Sequence, residues 1–169
     1  MKANHNNKGF TLIELIIVIT IMTVLFTAVL VNIHSKSKAK ELQDNTNTFK
    51  AALSLARNYA LTGYNASSTN INGYGIYASS ATNYIIYANK DSTYTYSGTT
   101  GLDTVVETYA LDSHASITSC TTTPCDVYFS LYKGDVAATY EFNFVHPQDA
   151  STTAKITIAA LTSMISSTP

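Results

Sequence analysis

Along this 169-residue chain the pattern of hydrophobic and polar positions changes twice. A short polar stretch, 1–9, carries Lys2 and Lys8 and is followed by 24 residues, 10–33, of which 18 are hydrophobic. A helix of that length would measure about 36 Å, enough to cross a hydrocarbon core of about 30 Å with some tilt. From residue 34 the apolar positions thin to a stripe. Leu42, Phe49, Leu53, Ala56 and Ala60 recur at helical spacing, and Lys40, Asp44, Lys50 and Arg57 take the opposite side. No glycine lies between Gly9 and Gly63, and no proline precedes Pro124. The pattern therefore predicts one helix from about residue 10 to 61, roughly 78 Å long. Its first part, 10–33, is suited to a membrane. Its second part, 34–62, is amphipathic, with Phe49 and Leu53 facing a sheet. Thr62-Gly63 supplies the stop.

Beyond a polar loop at 64–73 the period shortens to two. Strands are predicted at Tyr74–Ala78, Tyr84–Ala88, Thr93–Tyr96, Thr104–Ala110, Val127–Tyr132, Tyr140–Val145 and Lys155–Ala160. Tyr140, Phe142 and Phe144 share one strand face, as do Val127, Phe129 and Leu131. Ser79–Asn83 and Lys133–Asp135 read as hairpin connections. The expected fold class is α+β: a long N-terminal helix packed on an antiparallel sheet, with residues 63–169 forming a β-rich head domain.

Composition adds a compartment. Hydrophobic residues make up 46% of the chain and charged residues only 12%, with 12 Tyr, no Trp and 42 Ser plus Thr. Such a chain is too apolar and too weakly charged for a disordered one, and it suits an extracytoplasmic β-rich domain. The formal charge is −1, but beyond Arg57 three lysines face eight acidic residues, a balance of −5. Phosphate binding relies on clustered Lys and Arg, so no nucleic-acid partner is expected.

The apolar segment poses a chemical question, because Glu14 is its one formally charged side chain. A cleaved secretory signal fits poorly: the run is too long, no small-x-small site follows, and a carboxylate interrupts it. A plain anchor fits the length but leaves unexplained a carboxylate that costs on the order of 2–3 kcal/mol at a membrane-helix centre. A cut just before Phe10 would supply the partner, an α-amine one helical turn away and another on every neighbouring copy. Flanking charge does not settle orientation, since Lys36, Lys38 and Lys40 on the far side compete with Lys2 and Lys8.

Lys8-Gly9-Phe10-Thr11-Leu12-Ile13-Glu14 and the apolar run after it resemble the class III signal of type IV pilins and pseudopilins. The resemblance implies that a prepilin peptidase removes the 1–9 leader on the cytoplasmic side, cutting between Gly9 and Phe10 and methylating the new Phe10 amine. It implies that Glu14 pairs with the terminal amine of an adjacent subunit during assembly. It also implies a single-pass protein of the cytoplasmic membrane that later joins an extracytoplasmic pilus or pseudopilus, with other pilin or pseudopilin subunits as partners. Loss of the leader would change the formal side-chain charge from −1 to −3, since Lys2 and Lys8 go with it. One departure is Val31, which stands where family members often carry a helix-opening proline. Thr20, Thr23 and Thr27 share a helix face, where each hydroxyl either bonds a carbonyl one turn back or contributes to a seam between subunits. Leu55-Ala56-Arg57-Asn58-Tyr59-Ala60 and Gly73-Tyr74-Gly75-Ile76-Tyr77 are similar to H-type pseudopilins and their minor-pilin relatives, which points to a minor rather than a main subunit. Arg57 itself reads equally as a helix-end cation or an ion-pair partner.

Cys120 and Cys125 enclose Thr-Thr-Thr-Pro, and in an exported domain they most simply form a disulfide closing that loop. Free thiols, or a metal site recruiting His114 or Asp126, are the other readings, though the spacing matches no zinc pattern. His5, His34, His114 and His146 accompany no nucleophile or paired carboxylate in a known spacing, and no nucleotide-binding fingerprint occurs. No enzyme activity, cofactor or metal is expected. Two other roles remain open beside the structural subunit: a membrane-anchored adhesin or receptor, and a pilin of DNA uptake.

Overall fold

A computed structural model describes residues 10–64, 70–91, 93–99, 101–122, 124–160 and 164–168, with the side chains of 28–36 excepted. The leader 1–9, Gly9 included, and the side chain of Val31 lie outside the described residues. The chain divides into two compact units, Met1–Ser37 and Lys38–Pro169. A single helix, α1 (Leu12–Thr62), contributes to both.

In the second unit, α1 ends where the sequence predicts. Gly63 adopts φ +64°, and the Tyr64 N–H bonds the Tyr59 carbonyl, a left-handed cap that satisfies a carbonyl of the last turn. Eight strands follow: β1 (Gly73–Ala78), β2 (Asn83–Asn89), β3 (Asp103–Ala110), β4 (Ser116–Cys120), β5 (Asp126–Ser130), β6 (Tyr140–His146), β7 (Asp149–Ile158) and β8 (Ile165–Thr168). They form two four-stranded antiparallel sheets, ordered β3-β2-β1-β5 and β4-β6-β7-β8. The helix-on-sheet α+β class holds, and the single expected sheet is corrected to two.

The predicted stripe is the core. Leu42, Phe49, Leu53, Ala56 and Ala60 are all at most 1% exposed. Phe49 joins both sheets through its ring, 4.7 Å from Tyr84 on β2 and 5.0 and 5.3 Å from Phe142 and Phe144 on β6. Burying one such ring contributes roughly 2–3 kcal/mol of transfer free energy, which makes the middle of the stripe the joint of the fold.

Two local expectations fail for identifiable reasons, and two strands were not expected. Thr93–Tyr96 is not a strand. The Asp91 carboxylate accepts the Thr93 N–H at 3.0 Å and its hydroxyl at 2.6 Å, and Tyr94 turns to φ +59°. Local side-chain bonds replace the ladder there. Lys133–Asp135 is a turn but not a hairpin between neighbours, because β5 and β6 lie in different sheets. It docks on the helix end instead, with the Arg57 Nε–H donating to Gly134 O at 3.1 Å and the Tyr132 N–H donating to Ala60 O at 2.7 Å. Strands β4 and β8 were not foreseen, being short and largely polar.

Candidate functional site: the first turn of the N-terminal helix

The first turn of α1 is built by Thr11. Its hydroxyl accepts the Glu14 N–H at 3.3 Å, while Glu14 Oε2 accepts the Thr11 N–H and hydroxyl, both at 2.9 Å. This is a reciprocal capping box, in which the residue opening the helix and the one three positions on satisfy each other's free groups. The sequence signal was present as Thr-x-x-Glu, yet Glu14 was singled out for its charge and its place in the class III signal, not for a cap. Thr11 is therefore a capping partner of Glu14 that sequence reasoning missed. Phe10 stands just outside this turn and is 90% exposed.

From Phe10 to Phe26 each large apolar side chain is more than half exposed. The polar groups among them are already satisfied. Thr20 donates to Ile16 O at 2.6 Å, Thr23 to Ile19 O at 2.8 Å, and Thr27 to Val24 O at 2.8 Å. Each hydroxyl thus bonds back along its own helix, the first of the two readings above. What remains is an apolar surface all round the helix with one carboxylate at its start. Among the described residues no helix is long and apolar enough to cross a membrane. The expected span, 10–33, continues over positions whose side chains lie outside the described residues.

The head carries the other candidates. Cys120 and Cys125 are joined as a disulfide, with Cα atoms 5.6 Å apart. The bond spans the crossover from β4 of one sheet to β5 of the other, and Cys125 O also accepts the Ala78 N–H of β1 at 2.9 Å. Next to it, Asp126 is 5% exposed. It accepts the Tyr87 hydroxyl at 2.7 Å and the Tyr96 N–H at 2.5 Å. Burial raises its pKa to about 6, against the lowering effect of those bonds. Tyr87 reaches Asp126 because Gly75 lies beneath its ring, where a Cβ would meet the ring at 2.5 Å. Of the histidines whose side chains are described, His146 on β6 sits 3.3 Å from Glu41 on α1, and His114 sits 3.3 Å from Asp112. Among the described residues no group of three or more His, Cys, Asp or Glu converges to hold a metal ion.

Comparison with known proteins agrees with this geometry. Residues 4–30 match the model of the prokaryotic N-terminal methylation motif. No curated protein sequence matches. The fold is similar to the crystal structure of the type IV minor pilin FimU from Pseudomonas aeruginosa (TM-score 0.54, 13% identity), over 76% of this chain and 93% of that one.

Proposed function

We propose that this type IV pilin-like protein is a minor structural subunit of a type IV pilus or of a pseudopilus of the type II secretion kind. The observation that carries the reading is the exposed apolar surface of Phe10–Phe26, broken only by a carboxylate in the first turn of α1. An apolar helix face of this extent needs a partner outside its own chain, first lipid and then neighbouring helices. In this reading residues 1–9 are the leader, 10–33 cross the cytoplasmic membrane with the leader in the cytoplasm, 34–62 continue the helix, and 63–169 form the extracytoplasmic head. A prepilin peptidase cuts between Gly9 and Phe10 and methylates Phe10.

Glu14 then serves assembly. A carboxylate and an ammonium are each costly in lipid, and their pairing offsets much of both costs. The pair forms only when one subunit's Phe10 amine lies beside another's Glu14, so it selects one axial register. Support for the minor class comes from the fold shared with FimU and from the Leu55–Ala60 stretch at the end of α1.

Intact-mass measurement of the protein isolated from its own membranes tests the reading. The expected mass is that of a chain beginning at N-methylated Phe10 with Cys120 and Cys125 oxidised. A chain retaining Met1–Gly9, or cut elsewhere, overturns it.

A further inference from the structure

Beyond that role, the head carries a cleft lined by tyrosines on the face of the first sheet that lies away from the core. On β5, Val127 and Phe129 belong to the core, so Tyr128 between them takes the opposite face. Room for its ring comes from β1, where a Cβ on Gly73 would collide with the Tyr128 hydroxyl. That hydroxyl donates to Asn72 O at 2.6 Å, which fixes the ring. Tyr94, from the segment between β2 and β3, stands beside it. The two ring centroids are 5.1 Å apart and the planes meet at 56°, so the rings form a corner rather than a stack.

Tyr94 is 58% exposed and holds φ +59°, a left-handed conformation that a bulky residue keeps only where its surroundings impose it. Here Asp91 imposes it by anchoring Thr93, the residue before. The next wall is the turn after β5. Gly134 N–H donates to Ser130 O at 2.8 Å, Ser130 N–H donates to Asp135 O at 3.1 Å, and the Ser130 hydroxyl bonds the Asp135 carboxylate. With Arg57 also holding Gly134 O, this fastened turn places Lys133 and Asp135 on the lining of the cleft. Among the described residues neither of them forms an ion pair. Tyr140, at the start of β6, completes the lining, and the cleft measures about 360 Å3, within the range of small-molecule sites.

We propose that this cleft binds a phosphocholine group. The corner of Tyr94 and Tyr128, with Tyr140 beyond it, takes the trimethylammonium, because aromatic rings attract a cation within about 6 Å of their centres. The Asp135 carboxylate adds the opposite charge, and the Lys133 ammonium meets the phosphate. The pairing of charges selects this ligand class. A simple anion would be repelled by Asp135, a simple cation would leave Lys133 unmatched, and a neutral sugar would leave both without a counterpart. A zwitterion whose cationic end carries methyl groups and no N–H satisfies the rings and both charges together.

The test is calorimetric titration of the full mature chain, held in a maltoside detergent, with phosphocholine, glycerophosphocholine and phosphoethanolamine. A Kd of about 0.1–1 mM is expected for phosphocholine, as suits so small a ligand, with phosphoethanolamine roughly tenfold weaker because it lacks the methyl groups. Glycerophosphocholine bound as tightly as phosphocholine marks a phosphodiester source such as a lipid headgroup, and a preference for phosphocholine marks the free monoester. Tyr94→Leu, on an exposed segment, should weaken binding about fivefold with the Tm of the head unchanged, whereas Tyr94→Phe should keep it. Lys133→Ala should weaken phosphocholine binding about threefold and leave that of choline chloride unchanged. Absence of saturable heat at about 10 mM phosphocholine overturns the proposal, as do equal binding of phosphoethanolamine and an undiminished response in Tyr94→Leu. Heat from methyl glycosides with none from phosphocholine would overturn it in favour of a sugar. None of these results bears on processing at Phe10, so the two readings fail separately.

Discussion

Between Phe10 and Phe26 the large apolar side chains of α1 are 52–90% exposed, whereas Leu42, Phe49, Leu53, Ala56 and Ala60 of the same helix are at most 1% exposed. Both stretches are helical, so helix propensity does not separate them. The difference lies in hydrophobic content and in its distribution. In the later stretch apolar residues occupy one stripe, and the chain supplies two sheets to cover it. In the earlier stretch they run all round the helix, and among the described residues of the first unit nothing covers them. A stripe marks an element whose partner is intramolecular, and an all-round apolar surface marks one whose partner is another molecule. The same helix is core in one unit and exposed apolar surface in the other.

Glu14→Ala should break the interface side of this contrast alone. Incorporation into filaments, read by immunoblotting of sheared surface fractions, should fall at least tenfold while the subunit accumulates in the membrane. The Tm of the head should not move by more than about 1 °C, because the bonds described for Glu14 are all to Thr11. Normal incorporation would remove Glu14 from the assembly mechanism. Phe49→Ala is the mirror experiment. It leaves a cavity where both sheets meet and should cost about 3–5 kcal/mol in denaturant unfolding of the head, with removal of the leader unchanged in mass spectra. A cost below about 1 kcal/mol would mean that the two sheets do not depend on this joint.

Asp126 allows a comparison inside the head. Its pKa in the folded protein, raised to about 6, exceeds its unfolded value near 3.9, so between about pH 4 and 6 the folded state keeps a proton that the unfolded state has released. Stability from this group is therefore highest below pH 4 and falls as pH rises through 6, by on the order of 2–3 kcal/mol. Asp91, Asp112 and Asp149 are shifted in the opposite direction, so their contributions are lost as pH falls through their lowered pKa values. Asp126→Asn should therefore flatten the pH dependence of unfolding between pH 4 and 6, and an unchanged slope there would refute the assignment. Replacing both Cys120 and Cys125 by Ser should cost about 2 kcal/mol, the loop-closure entropy of so short a ring. Limited proteolysis should then cut first at the crossover between β4 and β5.

How far the sequence could be read follows the same division between local and distant causes. The core stripe and strands β1, β2, β3, β5 and β6 were legible because their pattern repeats within a few residues. β4 and β8 were not: Ser116–Cys120 and Ile165–Thr168 offer little alternation, and they exist as strands because β6 and β7 present free edges to them. Thr93–Tyr96 misled by composition, since Thr and Tyr favour strands until a nearby Asp91 carboxylate offers their backbone a closer partner. The Glu41–His146 contact joins residues 105 positions apart, and nothing in either neighbourhood announces it. At the N-terminus the pattern of Gly9, Phe10 and Glu14 was legible, but the role of Thr11 was obscured by the charge beside it.

Thr11 yields the smallest effect and the sharpest distinction. As long as the capping box is closed, Glu14 is held by its own chain, through bonds of 2.9 Å from the Thr11 N–H and hydroxyl. In the proposed assembly a neighbour's amine would have to compete with these bonds, and it would bring a full positive charge into a poorly solvated site, where charge-assisted bonds are stronger than neutral ones. Thr11→Val removes the hydroxyl and keeps the N–H and the β-branched shape. It should fray the first turn, costing about 1 kcal/mol of local helix stability, which amide exchange at residues 12–14 in detergent would report. If Glu14 acts through the intermolecular pair, Thr11→Val leaves assembly within about twofold of normal, because the carboxylate loses a competitor and keeps its partner. If Glu14 acts by starting the helix, Thr11→Val should reproduce the assembly defect of Glu14→Ala, and the interface assigned to this half of the helix would then have to be sought further along it.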